Sequence, residues 1–407
     1  MSQSLVYGLD VGTTKIVALA GRVDTRRGWA EVLSMGEAPS RGLKRGVVVD
    51  RQAAAESVAA AIEDCGLRGG AVVVGIAGSH ISSFNTEITL LNRSSDMTIT
   101  QRFVKKLEHE ARQVLHLDKD ERVMHIVPRG YVLDGSEGVK NPVGLAARKV
   151  TMRAHVVSGA VSSMQNLLRI VDDCGVKVSR VVLEPLAAAE ACLLDSERES
   201  SVVLIDIGGG TTDVAAFVKG GLTHTAVIPI GGENFSSDVA YGLEITHQEA
   251  EELKLNYGSV LSNAVDPVAA VKLDGRYYNA HFISQILEYR AREVFEYVRD
   301  SLENAHVRDL LPGGAILTGG GSLLDGMTEL AEDIIGMRTR TAAPRYVRGE
   351  VKSVQKPQYA TSVGLLYFSA KNDDLVPNGK GAGAMSFGSI VEAVRSWFRG
   401  YRPATRP

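Results

Sequence analysis

Apolar residues fall along this chain in two kinds of block. Residues 5–11 (LVYGLDV), 16–20 (IVALA), 71–77 (AVVVGIA), 202–207 (VVLIDI) and 314–318 (GAILT) are nearly continuous apolar runs. Runs this short, bounded by glycine-rich turns, predict buried strands. The segment VSRVVLE predicts another strand. Between the strands lie stretches of helical character: 53–63, 164–174, a helix beginning near Pro185, then 247–256, 281–304 and 360–369. In the second of these, Met164, Leu167, Leu168 and Val171 share one face. This alternation predicts an α/β layer fold. The stretch 84–162 breaks the rhythm with a charged helix candidate over 100–115, then YVLDG, NPVG and the strand-like KVTMRAHVV. It predicts a small α+β insertion.

Two strand ends carry related turns, Asp10-Val-Gly-Thr-Thr-Lys15 and Asp206-Ile-Gly-Gly-Gly-Thr-Thr-Asp213. Glycine lets the main chain approach an anion closely, and successive N–H groups in such a turn form an anion nest. Gly12, Gly208, Gly209 and Gly210 supply that backbone. Thr13, Thr14, Thr211 and Thr212 add hydroxyls, and Lys15 adds a cation for terminal phosphates. Asp10 and Asp206 suit a hydrated magnesium ion, which takes few carboxylates and keeps its waters. One such turn is also an ordinary β-hairpin; two copies at lobe-sized spacing point to a phosphate clamp.

A third glycine cluster, Gly319, Gly320 and Gly321 before Ser322, would let a flat base and ribose lie against backbone. Gly232 and Glu233 are candidates for a ribose hydroxyl. Glu251 and Lys254 share a helical face and could frame the base, although a charged surface helix reads the same way.

A chain of 407 residues exceeds one ordinary core and suits a bilobed fold. With 44% hydrophobic and 23% charged residues it has globular composition. A net charge of −3 and 6% aromatics give no footing for nucleic acid. The 3 cysteines form no CxxC pair and predict neither disulfide nor zinc. The start of the chain does not read as a signal peptide, and no apolar run approaches a membrane span.

The last forty or so residues change character. Residues 371–386 predict a flexible linker. In 387–401, Phe387, Ile390, Val391, Val394, Trp397, Phe398 and Tyr401 form a helical apolar stripe, with Arg395, Arg399 and Arg402 near it. A terminal amphipathic helix with aromatics next to arginines suits an anionic lipid surface; packing on the second lobe is the alternative.

The order of first hairpin, connecting segment, second hairpin and glycine turn resembles the actin, sugar-kinase and heat-shock-chaperone ATPase superfamily. That resemblance implies ATP with magnesium, and two RNase H-like lobes. Leu183-Glu-Pro-Leu-Ala-Ala-Ala-Glu-Ala191 is similar to the chaperones' connecting segment, which makes Glu184, with Asp10, the candidate for orienting an attacking water. Ala360-Thr-Ser-Val-Gly364 resembles the second connecting segment.

Within that superfamily the chain resembles the FtsA family of bacterial cell-division proteins over nearly its whole length. The carriers are Arg41–Gly46, Gly78–Ile81, Tyr131–Gly135 with Asn141–Gly144, and Ala250–Lys254 with Tyr257-Gly258. Ala146-Ala147 depart from the family's usual glycine.

The resemblance implies a scaffold with at most slow ATP hydrolysis. It would form filaments at the division site on the cytoplasmic face of the membrane. It would capture the C-terminal peptide of tubulin-like FtsZ through 235–308, with Arg290, Arg292 and Arg299 as candidate contacts, and meet other division proteins. The expected bounds are 1–83 and 163–197 for the first lobe, 84–162 for its insertion, 198–234 and 309–370 for the second lobe, and 235–308 for the outer subdomain. A small-molecule kinase or a PilM-like pilus-assembly protein is the alternative. The membrane-type tail speaks against both, and the chain is too short for a chaperone's peptide-binding domain.

Overall fold

The computed structural model describes residues 5–370, apart from 25–27, 116 and 350. The linker and the apolar stripe of 387–401 lie outside the described residues.

Two mixed sheets carry the architecture. In the first lobe the order is Lys177–Leu183, Ala71–Ile76, Leu5–Val11, Lys15–Asp24, Trp29–Pro39, Val347–Gly349. In the second it is Gly221–Ile228, Thr212–Val218, Val202–Ile207, Ala315–Thr318, Thr339–Thr341. Each sheet is an antiparallel three-strand meander to which parallel strands are added.

The strands are apolar without alternation because both faces are covered. In Lys15–Asp24, Ile16, Ala18 and Ala20 pack under the helices Arg51–Asp64 and Val161–Asp173. Val17, Leu19 and Val23 face a second core built around the helices Glu184–Cys192 and Ala360–Ala370. That core also takes Leu204, Ala215 and Phe217 from the other sheet, so it belongs to both lobes. The two helices cross with backbone in contact: a Cβ on Gly364 would stand 1.8 Å from the Ala187 carbonyl oxygen.

The insertion is a four-stranded antiparallel sheet, ordered Ile81–Leu91, Lys149–Ala160, Glu121–Leu133, Ser136–Val139. Its helix Gln101–Val114 begins where Thr100 accepts from the Phe103 N–H at 3.2 Å. It buries Val104, Leu107 and Ala111 against Ile126, Met152 and Val156, giving the unit its own core. The expected bounds of 84 and 162 cut into the strand Ile81–Leu91 and the helix Val161–Asp173. They followed composition, whereas the backbone pairing continues past it. Likewise the outer subdomain starts with the helix Gly232–Leu243, which contains the expected boundary at 235. After the strand Ala315–Thr318 comes a short 3₁₀ turn, Gly320–Leu323, and then the α-helix Met327–Ile335, behind Gly326 at φ +84°.

Candidate nucleotide-binding cleft

The two glycine hairpins meet between the lobes. Strand pairing fixes their correspondence: Val11 pairs with Ile16, and Ile207 with Thr212. The loops are therefore Gly12-Thr-Thr-Lys15 and Gly208-Gly-Gly-Thr211. A Cβ on Gly209 would lie 2.3 Å from Thr14 Cγ2, and one on Gly210 would lie 2.5 Å from Thr13 Oγ1. Only glycine lets these loops approach so closely. The cavity between them is about 120 Å³, below the 300–1,000 Å³ typical of ligand pockets.

Asp10, Gly12, Thr13, Thr14, Lys15, Glu184, Asp206, Gly208, Gly209, Gly210, Thr211, Gly319 and Gly320 all line this cavity. Burial lifts the carboxyls above their usual range. For Asp10, desolvation is opposed by the Ser362 hydroxyl and by Lys15. Asp206 is pushed up to about 6 by burial and by Asp10, against the hydrogen bond from Thr361. Glu184 is raised well above a normal glutamate by burial, then by Asp10, Asp213 and Asp206. Burial lowers the Lys15 amine, with Glu37 and Asp10 opposing. Lys15 Nζ lies 3.6 Å from Glu37 Oε2 and 3.7 Å from the Tyr359 ring centroid, and the Tyr359 hydroxyl donates to Glu37 at 2.9 Å.

Other expected residues stand outside the cavity and have tasks within the second lobe. Thr212 is fully buried and donates to the Ile230 carbonyl at 2.8 Å, so it fixes strand pairing. The N–H groups of Gly232 and Glu233 donate to the carbonyls of Gly208 and Gly209 at 2.9 and 2.8 Å. They seat the next helix on the hairpin. Lys254 Nζ donates to the Gly232 carbonyl at 3.1 Å, to Ser236 Oγ at 2.8 Å and to Glu251 Oε2 at 2.6 Å. It is 6% exposed, so this lysine and Glu251 join two helices. Gly321 packs on Ile207, and Ser322 donates to the Gly319 carbonyl at 2.7 Å. The three arginines proposed for an acidic peptide are ion-paired: Arg290 with Asp238 and Glu293, Arg292 with Glu288, Arg299 with Asp300.

Sequence reasoning missed Asp213, Gln358, Thr361 and Ser362. Asp213 lines the cavity, and burial plus Asp206 push it up to about 8. Its Oδ2 accepts from Thr211 at 3.1 Å, while its buried Oδ1 has no hydrogen-bond partner. The signal was present in the aspartate that ends DIGGGTTD.

A magnesium-bound polyphosphate fits this residue set. Glycine backbone lines both loops, one aspartate from each lobe lines the cavity, and Lys15 Nζ, ion-paired with Glu37, makes no hydrogen bond. Duplicated lobes closing on paired glycine hairpins make this an actin-like ATPase fold. Solved structures agree on the fold. The PilM–PilN type IV pilus biogenesis complex matches at TM-score 0.67 and 16% identity, over 91% of this chain and 100% of that one. MreB5 of Spiroplasma citri bound to ADP matches at TM-score 0.54 and 15% identity, over 89% and 95%.

Closer relatives narrow the class. The family described as cell division protein FtsA matches residues 203–364, and the SHS2 domain inserted in FtsA matches residues 78–158. The chain is 36% identical to the cell division protein FtsA of Pseudomonas aeruginosa, over 98% of both chains. It is 32% identical to that of Escherichia coli K12 over 98% of both. It is 31% identical to that of Bacillus subtilis 168, over 91% of this chain and 84% of the relative. The chain belongs to the FtsA family and is an actin-like cell-division protein.

Proposed function

We propose that this chain binds Mg-ATP between its hairpins, assembles with copies of itself, and tethers FtsZ filaments to the inner face of the cytoplasmic membrane at the division site. The glycine-to-threonine interlock of the two hairpins is the observation that carries nucleotide binding. Crystals of MreB5 bound to ADP and to AMPPNP, similar in fold, support it.

Asp10 and Asp206 would hold hydrated magnesium, and Lys15 would exchange Glu37 for terminal phosphate oxygens. Gly208–Gly210, Thr13, Thr14 and Thr211 would cradle the phosphates, with Gly319 and Gly320 against the ribose and base and Gly321 and Ser322 behind them. Gly232, Glu233, Glu251 and Lys254 would support that pocket from behind. Bound ATP would supply a phosphoanhydride, and Glu184 would orient water toward it. Among the described residues no arginine lines the cavity to offset developing charge. Turnover should fall below about 1 per second, under the kinase range.

Family membership implies self-association and division-protein partners. The insertion near 84–162 would contribute filament contacts, and the outer subdomain near 235–308 would take the FtsZ peptide. Acidic peptide residues would have to displace the carboxylates that now hold Arg290, Arg292 and Arg299. Among the described residues no helix is long and apolar enough to cross a membrane. Residues 387–401 would lie in the lipid interface, with Trp397 and Phe398 as main anchors.

Flotation with anionic liposomes tests the membrane reading. The full chain should float with a sharp rise in concentration and ATP, by avidity of assembled copies. A chain lacking 387–407 should bind ATP yet stay in solution. Flotation of Trp397→Glu at the native level would overturn the tail assignment.

A further inference from the structure

A second helix reaches the cleft beside the one that carries Glu184, and neither belongs to a hairpin. Thr361 and Ser362 are adjacent residues in the first turn of Ala360–Ala370. Ser362 Oγ donates to Asp10 Oδ2 at 2.7 Å, and Thr361 Oγ1 donates to Asp206 Oδ2 at 2.9 Å. Successive helical residues point about 100° apart, so one hydroxyl addresses the first lobe and the next addresses the second. Both side chains are buried, and each bond engages a carboxyl that burial raises above its usual range. A hydroxyl donor fixes the plane of such a group and satisfies one of its oxygens.

The helix cannot drift to follow either aspartate. Its middle is in backbone contact with Glu184–Cys192 at Gly364 and Ala187. At its far end Arg180 Nη1 donates to the Phe368 carbonyl at 3.1 Å. The two aspartates are thus held relative to one another by a dipeptide on a clamped helix.

We propose that Thr361 and Ser362 are positioning residues for the metal–nucleotide site. They orient one magnesium-shell aspartate from each lobe, so that metal-dependent affinity requires both lobes to be seated on the same helix turn. This rests on the Mg-ATP reading of the cleft and deepens it.

Thr361→Val and Ser362→Ala remove the donors with little change of shape, whereas Thr361→Ser and Ser362→Thr keep a hydroxyl. The full chain would be titrated with ADP by calorimetry, in excess magnesium and in EDTA. Each donor-less variant should lose about tenfold in Mg-ADP affinity, and the double variant about a hundredfold. ADP affinity in EDTA should change less than about twofold, and the hydroxyl-keeping variants should recover to within about threefold of native.

Equal losses with and without magnesium would mean packing alone and would overturn the proposal, as would no loss. If the double variant fails to fold, Ser362→Ala, which removes a single atom, decides the comparison. A native chain that binds no nucleotide in magnesium would overturn the cleft assignment and the hydroxyl pair with it. Native binding with an unchanged double variant would overturn the hydroxyl pair only.

Discussion

The two hairpins share a Gly-Thr-Thr motif, yet their threonines do not correspond. By strand register, Thr13 and Thr14 of the first loop stand where the second has Gly209 and Gly210. Thr211 and Thr212 correspond to Lys15 and Ile16. The first loop projects side chains and the second offers bare backbone, so the threonines of one fill the space that the glycines of the other leave. The return strands also diverge. Asp10 pairs with Val17, a core residue, whereas Asp206 pairs with Asp213, a carboxylate facing the cavity. The backbone register matches while the chemistry is complementary: hydroxyls and a cation on one side, bare glycine backbone and an extra acid on the other.

The comparison breaks most severely at Gly209. Gly209→Asp should abolish Mg-ATP binding, a loss of at least about 1,000-fold, because it puts bulk and negative charge into the nest. Calorimetry reads the outcome, and affinity within tenfold of native would mean the loops do not hold phosphate. Exchanging the content of the loops sharpens the same point. Gly209→Thr alone should lose about 300-fold, and adding Thr14→Gly should recover at least tenfold of it through a favourable coupling energy. Simple additivity of the two changes would refute the interlock.

A further asymmetry lies behind the clamp. The insertion, present only on the first lobe, holds the connecting helix through His125 Nε2, which accepts from the Leu183 N–H at 3.1 Å, one residue before Glu184. Burial, then Arg112 and Arg180, push His125 down to about 4. A histidine depressed in the folded state contributes stability above its unfolded value near 6.5, and that stability is lost as pH falls toward 4. The loss should reach about 3 kcal/mol, read as urea midpoints between pH 7 and 4. His125→Gln keeps an acceptor and should flatten that slope; an unchanged slope would assign it elsewhere.

The smallest effect concerns the return strands. Asp213→Val copies the first lobe's Val17. It should stabilise the nucleotide-free chain at pH 8 by about 1–2 kcal/mol, because a buried charge is replaced by an apolar side chain. Destabilisation in a urea titration would make Asp213 a structural residue.

Much of this fold was legible in the chain. Strands covered on both faces have no alternation to disguise them, so runs such as VVLIDI end where the strands do. The clamp was legible because aspartate and glycine recur at strand ends. The offset of the loops was not, since a motif aligns letters whereas a hairpin aligns hydrogen-bonded pairs. Val347–Gly349 carries no period in three residues and pairs with a strand far earlier in the chain. Thr361 and Ser362 sit in an otherwise apolar helix, where hydroxyls look like packing. Lys254 and Glu251 carry charges that either a ligand or a neighbouring helix could satisfy, and the fold supplies the helix.

That late strand sets an order of events during synthesis. The second lobe's sheet, from Val202 to Thr341, is continuous in sequence and can form as soon as it emerges. The first lobe's sheet leaves Ala30–Val32 of the strand Trp29–Pro39 unpaired on one side until Val347–Gly349 arrives. At 5–20 residues per second, roughly 300 residues take about 15–60 s to translate. Through that interval the nascent first lobe exposes unpaired backbone that could join another chain. The first lobe's sheet is the later of the two to be completed, and chaperone demand should concentrate on it.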